Sequence, residues 1–273
     1  MSEPVSVIVC TLDESEVLER LIEPLRFADE VLILDSGSRD GTREKAKELG
    51  AVVHEQEWLG FSAQKNRAAE LAANDWVLSL DADEIVTPEL AASIGEAMAD
   101  GPDPRDGFVV DRRGEFLARV LPNGSRRSKR MDFVRLYNRR HSEWDESAEV
   151  HEEVVCPGER HMLDGLLLHW NLFTIDELMD RYLKYSTIEA RSAYDSGKRT
   201  NALQVVARPV LRFLWNYVAR GEFRMGGHGL VHSGTRAASD FMRLAKQWEL
   251  QQERELGPKQ PRGTSSPQSE SPR

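Results

Sequence analysis

Through the first hundred residues, short β-branched apolar runs alternate with stretches of helical period. Residues 5–11, 30–35, 51–54 and 76–80 read as strands, with helices over 14–26, 42–49, 62–73 and 88–99 between them. That alternation is the βαβ rhythm of a mainly parallel sheet covered by helices, an α/β fold. Such sheets bind ligands beyond the carboxyl ends of their strands. Here those ends read Thr11-Leu12-Asp13-Glu14, Asp35-Ser36-Gly37-Ser38 and Asp81-Ala82-Asp83-Glu84, so polar side chains gather where the fold would hold a site.

The breaker run Gly101-Pro102-Asp103-Pro104 ends this pattern. Strands follow over 107–111, 133–137 and 163–169, separated by basic, Gly-containing loops that we assign to an acceptor-binding half of the same domain, residues 101–172. A helical extension spans 173–253: helices over 174–196 and 203–220, a Gly226-Gly227-His228-Gly229 break, and a last helix to about 253. The Pro-, Ser-, Gln- and Gly-rich residues from 254 onward are expected to be a disordered tail.

Composition narrows the class. A chain of 273 residues, 40% of them apolar, can bury one large core with an appended piece. Two cysteines, Cys10 inside a buried strand and Cys156, offer neither a disulfide framework nor a Cys metal site and fit a reducing cytoplasm. The start Met1-Ser2-Glu3-Pro4 lacks the basic and apolar segments of a signal peptide, so export is not expected. No uncharged apolar run approaches the roughly 18 residues a membrane span needs, the nearest being interrupted by Arg208 and Arg212.

The net charge of -10 is unevenly distributed: residues 1–100 hold 22 acidic and 8 basic side chains, whereas 198–248 hold 9 basic and 2 acidic. Nucleic acid would want basicity on the front half, so no nucleic-acid partner is expected. The basic C-terminal block points to an anionic membrane surface. There Arg208, Arg212, Arg220 and Arg224 interleave with Leu211, Phe213, Leu214, Trp215 and Tyr217, the composition of an interfacial helix.

Asp81 and Asp83, two residues apart at an extended strand end, emerge on one side and can converge on one hard cation. Asp35 stands at the tip of the second strand before a tight glycine turn and a helix start, placed to accept from a base or ribose. No Gly-x-Gly-x-x-Gly follows the first strand, which argues against a dinucleotide enzyme. His169, His228 and His232 have no ligand-spaced partners in sequence and read as structural or surface histidines.

Four ordered blocks then form a pattern: residues 5–11 with Glu14, the Leu34-Asp35-Ser36-Gly37-Ser38-Arg39-Asp40-Gly41-Thr42 loop, residues 57–66 ending Gln64-Lys65-Asn66, and residues 75–84 ending Asp81-Ala82-Asp83-Glu84. Together they resemble family 2 glycosyltransferases, and within them the lipopolysaccharide-core β-1,4-glucosyltransferase type, over about residues 1–250. One departure is Asp13, where the family usually has Asn.

The resemblance implies a GT-A fold with residues 1–100 as the nucleotide-sugar half, and inversion at the anomeric carbon. It implies a nucleotide-diphosphate sugar donor, a UDP-sugar above others, and Mg²⁺ or Mn²⁺ on Asp83 with help from Asp81. Thr11, Glu14, Asp35, Ser36, Gly37, Ser38, Asp40, Lys65, Asn66 and Asp81 would line the donor site. Lys65 is placed to stabilise the leaving diphosphate, and a carboxylate must take the acceptor proton. The family's His-Glu pair favours Glu152, beside His151, with Asp132 as the alternative. Arg112, Arg113, Arg126, Arg127, Lys129 and Arg130 fall in or beside a loop suited to a phosphorylated saccharide or glycolipid acceptor. The expected location is cytoplasmic, peripheral on the inner face of the membrane. Rival readings are a sugar nucleotidyltransferase, which would need a Gly-rich phosphate loop after strand one, and an inactive nucleotide-sugar-binding partner, which would have lost Asp81 or Asp83.

Overall fold

The computed structural model describes residues 2–122, 133–147, 153–169 and 174–256, with side chains to residue 252. It divides into two compact units, Met1–Leu172 and Phe173–Arg273.

The first unit opens with β1 (Val5–Thr11), α1 (Leu18–Ile22), β2 (Glu30–Asp35), α2 (Thr42–Glu48), β3 (Val52–Glu55), α3 (Phe61–Leu71) and β4 (Trp76–Asp81). β5 (Glu84–Val86), α4 (Pro88–Ala99), β6 (Gly107–Phe116), β7 (Arg119–Val120), β8 (Val134–Asn138), β9 (Glu143–Trp144), β10 (Val154–Val155) and β11 (Arg160–His169) follow. A single sheet runs β3-β2-β1-β4-β8-β6-β11-β5, with β7 beside β6, while β9 and β10 pair separately. The first four strands are parallel. β8 then enters antiparallel to both neighbours, β11 lies parallel to β6, and β5 closes the row antiparallel to β11.

Strands buried on both faces read as continuous apolar runs, and β1 and β4 do: Val7, Val9, Val77 and Leu78 are sealed from solvent. Helices add Leu18, Leu21, Ala68, Leu90 and Ile94 to the same core. Register pairs Thr11 with Asp35, Asp35 with Glu55, and Cys10 with Asp81, so three strand ends meet at one edge.

The structure departs from the expected elements in several places. The helix expected over 14–26 shrinks to α1 plus a 3₁₀ turn at Glu23–Leu25, because side chains of the β2–α2 loop capture the backbone of residues 13–15 and Pro24 follows. β6 continues past 111 to Phe116 because β11 pairs with it as far as Gly114. β5 was not anticipated, being three residues long and paired in the sheet with the distant β11.

A seam fixes the far edge of the sheet. Thr87 caps α4 at the Leu90 amide, Pro88 takes the first turn, and Thr87 also accepts from the Leu166 amide at 3.1 Å. Gly165, at φ 91°, lies so close to Glu89 and Leu90 that no Cβ fits.

The second unit holds α5 (Ile175–Asp195), α6 (Ala202–Leu214), a π turn (Trp215–Ala219), a 3₁₀ turn (Glu222–Met225) and α7 (Gly227–Leu256). Capping boxes, Thr174 with Glu177 and Asn201 with Gln204, start α5 and α6. α7 packs against both. The expected four-residue break is confined to Gly226, at φ 60°; Gly227, His228 and Gly229 already lie in α7. No described helix is long and apolar enough to cross a membrane.

Candidate active site

The two loops at the carboxyl edge lock together. The amides of Asp13, Glu14 and Ser15 donate to the side chains of Ser38 (2.8 Å), Thr42 (2.9 Å) and Asp40 (2.9 Å), and the Arg39 amide returns a bond to Asp13 Oδ1 at 2.7 Å. Asp13 sits at φ 57°, left-handed backbone that Asp and Asn tolerate best among side-chain-bearing residues.

Asp35 is fully buried. Its Oδ1 accepts from the amides of Gly37 (3.1 Å) and Ser38 (2.9 Å), and its Oδ2 from Thr11 Oγ1 (3.2 Å) and closely from the Ser38 hydroxyl. It thus organises the loop from inside. Ser36 accepts from the Gln64 amide nitrogen at 3.1 Å, linking this loop to α3. The Thr42 hydroxyl and the Ser15 amide hold Asp40 well below the usual carboxylate range.

At the end of β4 the two carboxylates take different partners. Asp81 receives Lys65 Nζ at 3.0 Å on one oxygen and Arg135 Nη2 at 3.0 Å on the other. Burial opposes its charge, but Arg135, Lys65 and Arg112 outweigh it and hold the carboxyl well below its usual range. Asp83 points outward, 43% exposed, and its Oδ2 lies 2.8 Å from His169 Nε2. The β5–β11 pairing places His169 opposite Glu84, one residue from Asp83. Burial, then Asp83, Asp40 and Asp13, push the Glu14 carboxyl up, so negative charge is crowded at this edge.

Beneath it lies a buried cationic layer. Glu84, fully buried, accepts from Arg112 Nε (2.5 Å), Arg135 Nη2 (2.9 Å) and the Asp81 amide (3.0 Å). Arg135 lies 4.4 Å above the Phe133 ring, and Lys65 Nζ 4.3 Å above Trp144. Asn66 clamps β9, exchanging bonds with the Trp144 backbone at 3.0 and 2.8 Å.

Arg112 and Arg113 were expected in or beside a loop but belong to β6, Arg112 on Glu84 and Arg113 on Asp111. Arg135 and His169 were not singled out for the site. An arginine inside the apolar run Phe133-Val134-Arg135-Leu136-Tyr137 was the available signal for the first. His169 had none, since its partner lies far away in sequence. Asp132, His151, Glu152, Arg126, Arg127, Lys129 and Arg130 lie outside the described residues.

Among the described residues no three His, Cys, Asp or Glu side chains form a ready metal cage. Asp83, 43% exposed, and the largely covered His169 beside it nonetheless bring an oxygen and a nitrogen donor together. Small divalent cations are commonly held by one or two carboxylates together with substrate phosphates. The donor set fits such a shared ion.

A family model described as glycosyl transferase family 2 matches residues 6–149. The lipopolysaccharide core biosynthesis glycosyltransferase LpsC of Rhizobium meliloti is 31% identical over 249 residues, covering 89% of this chain and 91% of that protein. A glycosyltransferase of Rickettsia prowazekii is 29% identical over 254 residues, 90% of this chain and 87% of its own. Among solved structures, a mannosyltransferase from Pyrobaculum calidifontis in complex with GDP-Man and Mn²⁺ superposes with a TM-score of 0.46 at 14% identity, covering 91% of this chain and 90% of that one.

Proposed function

The chain belongs to glycosyl transferase family 2 and is a transferase of GT-A fold, and from that premise we propose that it carries a sugar from a nucleotide diphosphate to a saccharide or glycolipid acceptor with inversion at the anomeric carbon. A UDP-sugar is the proposed donor, and envelope glycan of the lipopolysaccharide-core kind the proposed product. The Rhizobium relative's name supports that acceptor class. The observation that carries the proposal is the pair Asp83 and His169 beside Asp81 and Lys65 at the carboxyl edge of the sheet.

In a single displacement the acceptor hydroxyl attacks the anomeric carbon opposite the leaving diphosphate. No covalent intermediate forms, and one carboxylate must accept the hydroxyl proton. We assign that role to Glu152, with Asp132 as the alternative. The interlocked loops, residues 11–14 and 35–40, receive base and ribose; Asp35 holds their shape, and Thr11, Ser36, Gly37, Ser38 and Asp40 set their surface. Glu14 faces the phosphates, and Asn66 keeps Trp144 under Lys65. A bound Mg²⁺ or Mn²⁺ on Asp83, Asp81 and His169 would neutralise charge gathering on the leaving diphosphate. Lys65, now on Asp81, supplies a second positive charge to the same phosphates.

The enzyme is proposed to work as a peripheral protein on the inner face of the cytoplasmic membrane, its basic C-terminal unit toward anionic lipid. Product stereochemistry by NMR tests the core of the proposal: inversion and loss of transfer in EDTA are expected. Retained configuration would remove the single displacement, and full activity in EDTA the metal.

A further inference from the structure

The second unit carries an unusual helix. On α6 and the π turn after it, Leu203, Val206, Val210, Leu214 and Val218 recur every three or four residues and all are exposed, Leu203 at 75% and Val206 at 64%. Leu211 and Trp215 widen this ridge, so that at 100° per residue the apolar arc covers about half the circumference. The opposite side, with Pro209 and Asn216, is buried. A water-facing helix surface is ordinarily polar. Phe213 and Tyr217, expected on the same surface, instead stack on each other at 5.4 Å and are half-buried.

The flank of this ridge is one wall of an open groove of about 860 Å³ between α6 and α7. Leu211, Leu214, Trp215, Val218 and Ala219 form its apolar lining, and Arg208, Arg212 and Arg243 its basic one. Asp240 also lines it, 3.7 Å from Arg212 and 2.8 Å from Arg243, and Glu189 approaches Arg243 at 3.7 Å. Among the described residues no carboxylate comes within ion-pair distance of Arg208. Guanidinium groups favour phosphate through paired N–H donors, and the lining beside them favours hydrocarbon. Few ligands need both at once. One is a phospholipid.

We propose that this groove holds one anionic phospholipid of the bilayer on which the α6 ridge lies, its phosphate on Arg208 and Arg212 and its acyl chain along Leu211, Trp215 and Val218. The proposal rests on the reading that the C-terminal unit meets a membrane, and adds a discrete lipid site to it. Charge complementarity selects this occupant: residues 198–248 carry 9 basic against 2 acidic side chains in a chain of net -10. Interfacial helices with an apolar face bordered by arginine bind such lipids.

The test measures, by calorimetry on the full chain, binding of a short-chain phosphatidylglycerol kept below its micelle concentration, alongside sedimentation with phosphatidylglycerol vesicles. Saturation at one lipid per chain is expected. Arg208→Gln with Arg212→Gln should weaken it roughly twenty-five-fold, at about a factor of five per guanidinium. Ala219→Phe, which fills the groove without removing a charge, should abolish it. Vesicle sedimentation without short-chain lipid binding would overturn the groove and leave the membrane reading standing. Lack of both would overturn both. Glycerol phosphate binding as tightly as the lipid would make this a phosphate site only. A lipid-free dimer that Leu203→Gln with Val206→Gln turns into a monomer would assign the ridge to a second copy and overturn the proposal.

Discussion

Asp81 and Asp83 stand two residues apart, yet they have different partners: Asp81 is held between Lys65 and Arg135, and Asp83 meets His169 and solvent. If Asp83 holds the cation, Asp83→Ala lowers transfer by about two orders of magnitude or more. The same change leaves the thermal midpoint nearly unmoved, because the side chain is outside the core. Steady-state rates and a melting curve on one preparation check both. His169→Ala is milder, raising the cation concentration for half-maximal rate by about 10- to 100-fold, read from a Mn²⁺ titration. Asp35→Ala should behave oppositely. It strands the donors of Thr11 and Ser38 in a buried place and costs about 3 kcal/mol of stability before any effect on donor binding is visible. The Asp-x-Asp spacing was legible in sequence; that one carboxylate is held between two cations and the other pairs with a histidine was not, because Arg135 and His169 arrive from other strands.

At the scale of elements, β11 carries His169 and is pinned to α4 through Gly165. A methyl group there meets the backbone of Glu89 and Leu90 and an unfavourable φ as well. Gly165→Ala is therefore expected to cost about 2–4 kcal/mol and to lower activity in parallel, measured by urea unfolding and assay. In the second unit, Glu222 joins its 3₁₀ turn to α7 through His232 (3.0 Å) and Ser233 (2.6 Å). Burial would raise its pKa, but the bonds from His232 and Ser233 and the charge of Arg220 outweigh burial and lower it. A carboxylate depressed by folding contributes stability that is fully present above its unfolded value, about 4.3, and lost as pH falls through its folded value. Glu222→Gln should thus lose stability near neutrality and show a shallower decline below about pH 4, seen by melts across that range. Helices over 88–99, 174–196 and from 203 were legible in the helical period, and the structure adds their caps at Thr87, Thr174 and Asn201. The short α1 was not, because bonds from another loop overrode its helical period.

For the whole molecule, the segregated charge makes its own forecast. With net +7 over residues 198–248, +9 with -2, the rest carries -17 of the total -10. Such asymmetry orients a protein at an anionic surface and is screened by salt. The chain is expected to sediment with anionic but not neutral vesicles, less so at about 0.5 M salt. Replacing Arg208, Arg212, Arg220 and Arg224 by Gln should remove most of the binding, while donor hydrolysis persists. Equal sedimentation with both vesicle types would defeat the electrostatic account. Sequence alone determined the alternating α/β order, the four motif blocks, the family they resemble and the basic C-terminal block, because local period, turn chemistry and charge are properties of neighbouring residues. The tertiary structure alone decided that Asp35 faces inward, that His169 meets Asp83, that Arg112 and Arg135 underlie the site, and which side of α6 stays uncovered. Those facts depend on strand register and helix packing, where residues far apart in the chain compete for the same few ångströms of space.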